Sequence, residues 1–169
     1  MSRTHEATLR SLSQLFIVTN AAVYVFLAVA IVPYWQTLSG PEVQRWFADH
    51  FDRFSIMMVP VHLLAIVTTV MALVASRRRA RSDAVTWIVL VVGLFGSQAF
   101  NFTLYAVVLN PDLSSETLSD ADALSTLDDW ATYHTVRTIL VVASAVAAVI
   151  LTTRAMRRGE LAGPSAAPA

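Results

Sequence analysis

Four stretches of the chain, about Leu15–Trp35, Phe54–Ala75, Ala84–Leu109 and Trp130–Thr153, are long and apolar enough to cross a lipid bilayer as helices. None holds an Asp, Glu or Lys, and only the last holds an Arg. A hydrocarbon core about 30 Å thick needs roughly 20 apolar helical residues. Backbone N–H and C=O groups in lipid must be satisfied within the segment, so helices rather than isolated strands are predicted. The apolar residues surround most of each predicted helix instead of forming one stripe, as expected where helices face both lipid and each other. The fold class this predicts is all-α: a four-helix transmembrane bundle spanning residues 1–158, followed by a disordered, Ala- and Pro-rich cytoplasmic tail over 159–169.

Composition excludes most alternatives. The 169 residues are 56% hydrophobic and only 14% charged, with a mean hydropathy of +0.58. A soluble domain is about a quarter charged, so this chain lacks the polar surface to coat a water-soluble globule or a nucleic-acid-binding face. With no cysteine, thiolate nucleophiles, disulfides and cysteine-held metal clusters are absent.

Charge is distributed unevenly between the two predicted membrane faces. All 12 basic residues are Arg, and nine of them fall at Arg3, Arg10, Arg77, Arg78, Arg79, Arg81, Arg154, Arg157 and Arg158. Nine of the 12 acids fall in the two opposite loops: Glu42, Asp49, Asp52, Asp112, Glu116, Asp120, Asp122, Asp128 and Asp129. The positive-inside rule then places both termini in the cytoplasm of a multi-pass inner (plasma) membrane protein. Ala28-Val29-Ala30 has small residues at the spacing of a signal-peptidase site, but it lies within continuing apolar sequence, so the first span is expected to be retained. Abundant Arg and Ala without Lys suggest a GC-rich bacterial source.

The outer loops carry their own patterns. Pro41, Val43, Trp46, Phe47, Phe51 and Phe54 recur at helical spacing and predict a short interfacial helix with Pro in its first turn. The second loop, about Asn110–Asp129, is long enough for another short helix. Ser125 with Asp128, or Thr126 with Asp129, has capping-box spacing before the fourth span. Trp35, Trp46 and Trp130 are expected to form an outer aromatic belt, with Trp87 at the inner boundary.

Polar side chains inside spans cost free energy unless partnered, so they mark the candidate site. At 1.5 Å rise per residue, Tyr24, His62, Gln98, Asn101, Tyr105, His134 and Arg137 all fall in the outer half of the membrane. Gln98, Asn101 and Tyr105 share one helix face, as do Trp130, His134 and Arg137. Together they predict a polar chamber opening toward the outer side, suited to a lipophilic ligand with one or two polar groups. Arg137 has no acid within a span to neutralise it. It either snorkels or pairs with Asp128, Asp129 or Asp52 at the rim, or its anionic partner is a ligand. His134, one turn away, is a candidate general base or an interfacial hydrogen-bonder. His62 is a packing group, a site residue or a ligand. Haem or copper held by His62 and His134 is an alternative reading, as is a metal at His50 and Asp52; otherwise no cofactor is expected. No phosphate loop, nucleophile elbow, HExxH or inverted repeat occurs. The partners read from the sequence are the bilayer, a small lipophilic aromatic ligand and other copies of the chain in a homo-oligomer. No nucleic acid is expected.

Several of these motifs resemble those of the anthrone oxygenase-like family of small four-span membrane proteins. They are Phe51-Asp52-Arg53 running to Pro60, the polar third span with Asn101 and Asn110-Pro111, and above all Trp130-x-x-x-His134-x-x-Arg137-Thr138. The resemblance covers about Leu12–Arg154, although Thr19-Asn20-Ala21-Ala22 stands where the family has a Gly-rich first span. It implies cofactor-independent oxidation of an anthrone- or phenol-like substrate by dioxygen. His134, with help from His62, would act as base, and Arg137 with Asn101 would stabilise the enolate oxygen. Tyr24, Tyr105, Gln98 and Trp130 would bind the aromatic substrate. A non-enzymatic module that binds lipid or quinone, or packs in a larger complex, is the alternative of a different class.

Overall fold

The structure, a computed structural model, describes residues 3–76 and 83–158. Among these residues it is all-α, with four helical rods long and apolar enough to cross a membrane. The first, α1, runs from Arg3–Phe26 through a π-helical stretch, Leu27–Ile31, to Val32–Trp35. The second, α2, is Gly40–Ser76. The third, α3, runs from Ala84–Phe100 through a longer π-helical stretch, Asn101–Leu109, to Asn110–Ser114. The fourth, α4, is Asp120–Arg157. Arg77, Arg78, Arg79, Arg81 and the predicted tail fall outside the described residues.

The rods are longer than the predicted spans, for a physical reason visible at each end. The Pro41–Phe54 segment is helical as expected, but it is not a separate helix lying at the interface. It forms the first turns of α2, because Val43 and Phe47 pack fully into the bundle's end instead of facing lipid headgroups. The second loop does hold a short helical turn, Asn110–Ser114, continuous with α3. The cap of α4 lies earlier than predicted. Ser119 Oγ accepts the Asp122 N–H at 3.2 Å and donates to the Asp122 carboxylate at 2.6 Å, a side-chain N-cap one to two turns ahead of Ser125 and Thr126.

Side by side, α1 packs on both α2 and α4, and α3 packs on α4, whereas α2 meets the Ala84–Leu109 part of α3 only sparsely and packs more closely on its Asn110–Ser114 end. The bundle is therefore closed on three sides and loose along the α2–α3 seam. Its lower core is Ile17, Ala65, Ala72, Leu90, Leu94, Val141 and Leu151. Small residues let the backbones approach: a Cβ added at Gly93 would come within 2.6 Å of the Leu140 carbonyl oxygen. At the end carrying the chain termini, Arg10 donates to Ser76 and Glu6, and Arg154 and Arg158 donate to Asp83. Hydrogen bonding from Arg158, then from Arg154, holds the Asp83 carboxyl below its ordinary pKa.

At the opposite end the two loops are tied together. The Gln44 side-chain amide makes paired hydrogen bonds with the Leu118 backbone, and the Gly40 N–H donates to Asp120 at 2.6 Å. Beneath these ties lies an aromatic plug. Trp35, Phe47 and Trp130 are each about 1% exposed; Trp130 meets both other rings edge to face, and Trp35 and Phe47 pack at a tilt. The expected outer tryptophan belt is thus corrected: Trp35 and Trp130 point inward and seal the bundle's end. Hydropathy gives a tryptophan's depth but not its rotation about the helix axis.

Candidate functional site

Directly below the plug, α1, α3 and α4 bring together the polar groups singled out from the sequence. Arg137 is 3% exposed. Its Nε–H donates to His134 Nδ1 at 3.0 Å, and an Nη1–H donates to Asn101 Oδ1 at 2.5 Å. The guanidinium carbon stands 3.6 Å from the Tyr105 ring centroid, 4.9 Å from Tyr24 and 5.0 Å from Trp130. Three aromatic faces so supply the negative potential that a carboxylate would otherwise provide. Among the described residues no carboxylate lies within salt-bridge distance of Arg137. Asp52, Asp128 and Asp129 are exposed at the bundle's end, so neither rim pairing nor snorkelling describes this arginine.

The hydrogen bonds fix both imidazole tautomers. Because an Arg N–H donates to Nδ1 of His134, its ring proton sits on Nε2, which donates to the Tyr24 carbonyl at 3.1 Å. That carbonyl lies just before the π-helical stretch of α1, where the backbone ladder changes register. In His62, Nδ1–H donates to the Met58 carbonyl at 2.5 Å, and Nε2 accepts the Tyr24 hydroxyl at 2.7 Å. The Tyr24 ring stacks on His134 and meets His62 edge-on. It fills the space between the two imidazoles, so a haem or copper ion shared by His62 and His134 does not fit. His50 bonds the Trp46 carbonyl and stacks on Trp46 at the exposed end. No group of three metal-ligating side chains occurs among the described residues.

Beside this cluster, in the α2–α3 seam, is a cavity of about 150 Å³. Arg137, Asn101, Gln98, Tyr105, Trp130 and His62 line its polar side, and Phe51, Phe54, Met58, Ile66 and Phe102 line its apolar side. Gln98 is 5% exposed, and its Nε2 has no hydrogen-bond partner. A buried amide donor left unmet costs about 1–3 kcal/mol, which a ligand acceptor in the cavity would recover. Asn101 Nδ2 reaches Gln98 Oε1 only at 3.5 Å. Tyr105 and Trp130 are locked in place: Tyr105 Oη donates to the Trp130 carbonyl at 2.9 Å, and Trp130 Nε1 donates to Asn110 Oδ1 at 3.0 Å.

No family model, curated protein or solved structure matches the chain. What the site can do is argued from its geometry.

The sequence pattern placed Gln98, Asn101, Tyr105, His62, Arg137 and Trp130 at one chamber, and the structure brings them to its wall. Two expected members differ. His134 and Tyr24 are fully buried behind the guanidinium and do not reach the cavity. His134 cannot take a substrate proton at Nδ1 while that nitrogen accepts from Arg137; its place is to orient the guanidinium. The chamber also opens differently. The aromatic plug fills the loop end, and the large apolar residues at the cavity's edge that are more than half exposed are Val59, Leu63 and Phe102. Two further polar lining residues, Ser55 and Asn110, were passed over as site groups by sequence reasoning, and Asn110 had a signal. Its position before Pro111 at the end of a span was the available signal, since a polar side chain there can bond across to the neighbouring helix.

Proposed function

We propose that this chain is an integral membrane oxidoreductase that binds a small lipophilic phenol or enol by its oxygen and oxidises it with dioxygen. In this reading the acidic loops face outward and both termini lie in the cytoplasm. The observation that carries it is the buried guanidinium of Arg137, which has no carboxylate partner among the described residues and borders a cavity with an unmet Gln98 donor. A cation in a low-dielectric pocket favours the ionised form of a bound hydroxyl and stabilises an oxyanion that forms there.

The chemistry follows from that placement. The substrate's proton passes to His62 Nε2, the ring nitrogen that carries the lone pair because Nδ1–H donates to Met58, as the Tyr24 hydroxyl gives up its bond to it. The anion, held by Arg137 and Gln98, transfers an electron to dioxygen, and the resulting radical pair collapses to a carbon–oxygen bond. The hydroperoxide then loses water, as its carbon gives up its hydrogen and the O–O bond breaks, leaving a carbonyl. One dioxygen is consumed and one water released per quinone formed, so the balance closes without another reductant.

A non-enzymatic quinone or phenol carrier is the second reading. It is favoured by the hydrogen bonds that already engage both imidazole lone pairs. Oxygen uptake by purified protein in lipid nanodiscs with 3-alkylphenols separates the two. Uptake that is lost in Arg137→Met and His62→Ala supports the oxidoreductase. Ligand binding that is lost in Arg137→Met, with no uptake in the wild type, supports the carrier. Binding that is unchanged in Arg137→Met refutes both.

A further inference from the structure

The cavity's shape narrows the ligand class. Resting on the reading just given, we infer that the ligand is a single aromatic ring with one hydroxyl or carbonyl at Arg137 and a hydrocarbon tail that leaves through the α2–α3 seam into lipid.

Three observations combine. First, about 150 Å³ is the volume of one benzene-sized guest in a dry protein cavity, and three fused rings exceed it. Second, the cavity's two flanks differ in kind. One carries Arg137, Gln98 and Asn101, and the opposite flank runs out to Val59 and Leu63 on α2, each 53% exposed, and Phe102 on α3, 65% exposed. These residues lie in the part of the rods that faces hydrocarbon, so the mouth between them opens onto acyl chains and not onto water. Third, Trp35, Phe47 and Trp130 fill the bundle end above the cavity, held by the Tyr105–Trp130 and Trp130–Asn110 bonds. A ligand coming from that end meets these packed rings, whereas an amphiphile already lying in the bilayer enters ring first with its tail trailing. The sparse packing of α2 on the Ala84–Leu109 part of α3 gives the seam room to part.

The test uses the full chain in nanodiscs with 2-bromo-5-methylphenol and 2-bromo-5-dodecylphenol, because bromine quenches the fluorescence of Trp35 and Trp130 on contact. Affinities are compared at equal mole fraction in the bilayer, which removes the effect of partitioning. Both phenols are expected to quench, and the double variant Val59→Phe/Leu63→Phe is expected to weaken the dodecyl compound at least tenfold while sparing the methyl one. Both substituted positions face lipid, so the variant should fold; Phe102→Ala, which widens the mouth, is expected to speed the quenching by the dodecyl compound. Quenching by the methyl compound alone, or a double variant that treats the two alike, overturns the tail and the seam and leaves the Arg137 site standing. If neither phenol quenches the wild type, the site reading fails together with the inference.

Discussion

The guanidinium carbon of Arg137 lies 3.6 Å from the centroid of the Tyr105 ring, closer than its approach to Tyr24 or Trp130. Tyr105 serves twice, since its hydroxyl also holds the Trp130 carbonyl. The two contributions can be separated by substitution. Tyr105→Phe keeps the ring and loses the hydrogen bond, at a cost of about 1 kcal/mol. Tyr105→Leu loses the π face as well and is expected to cost about 0.5–2 kcal/mol more. Thermal unfolding in detergent measures both, and equal stabilities for the two variants would deny the cation–π contribution.

Arg137 is expected to matter for binding far more than for stability. Burying a guanidinium at this depth costs about 3 kcal/mol on insertion scales. Removing it leaves His134 Nδ1 and Asn101 Oδ1 without donors, at about 1–3 kcal/mol each. These effects oppose each other, and the losses can exceed the gain by up to about 3 kcal/mol, so Arg137→Met is predicted to unfold within about 3 kcal/mol of the wild type while losing ligand. Arg137→Lys offers one point of charge in place of a planar fork, and it is predicted to lose the paired bonds to His134 and Asn101 and most of the affinity. A large drop in melting temperature for Arg137→Met would mark the arginine as structural.

The bundle and most of this site were legible in the sequence because both depend on properties of short stretches. Apolar runs give the spans, and the spacing of Gln98, Asn101 and Tyr105, or of Trp130, His134 and Arg137, gives a shared face. What escaped depends on neighbours. The π-helical turns at Leu27–Ile31 and Asn101–Leu109 leave no mark in hydropathy, yet both border the cavity. The role of His134 is set by which of its nitrogens meets Arg137, and no spacing rule specifies that. The inward rotation of Trp35 and Trp130, which moves the opening from the bundle's end to its side, follows from packing against Phe47 on α2.

Two glycines three residues apart on α3 should respond oppositely to the same change. An added Cβ at Gly93 would collide with Ser144 Oγ and with the Leu140 backbone carbonyl, whereas at Gly96 it would meet only Leu140 Cδ1 at an ordinary 3.5 Å. Ser144 Oγ also bonds the Leu90 carbonyl, so the α3–α4 contact cannot widen without losing that bond. Gly93→Ala is predicted to destabilise by about 1–3 kcal/mol as an overpacked contact. Gly96→Ala is predicted to be neutral or stabilising by up to about 1 kcal/mol through helix propensity. Paired melting curves decide, and similar losses at both sites would contradict the close approach.

The remaining prediction concerns acid. Asp83 sits just before α3, outside the spans, with Arg158 Nη2 at 2.7 Å and Arg154 Nη1 at 3.3 Å. These bonds hold its carboxyl below the ordinary carboxylate pKa. A group whose folded pKa is depressed binds its proton more readily when unfolded, so its stabilising effect is complete above the ordinary carboxylate range and disappears as pH falls through the depressed folded value. The wild type is therefore expected to lose stability through that acid window. Asp83→Asn, less stable at neutral pH, is expected to follow a flatter curve across it, so that the two converge at the acid end. Because Arg154 and Arg158 are partly exposed, added salt should shrink the neutral-pH difference by screening. Melting temperatures across a pH series in detergent, at low and high salt, test this, and parallel curves for the two proteins would show that Asp83 carries none of the acid response.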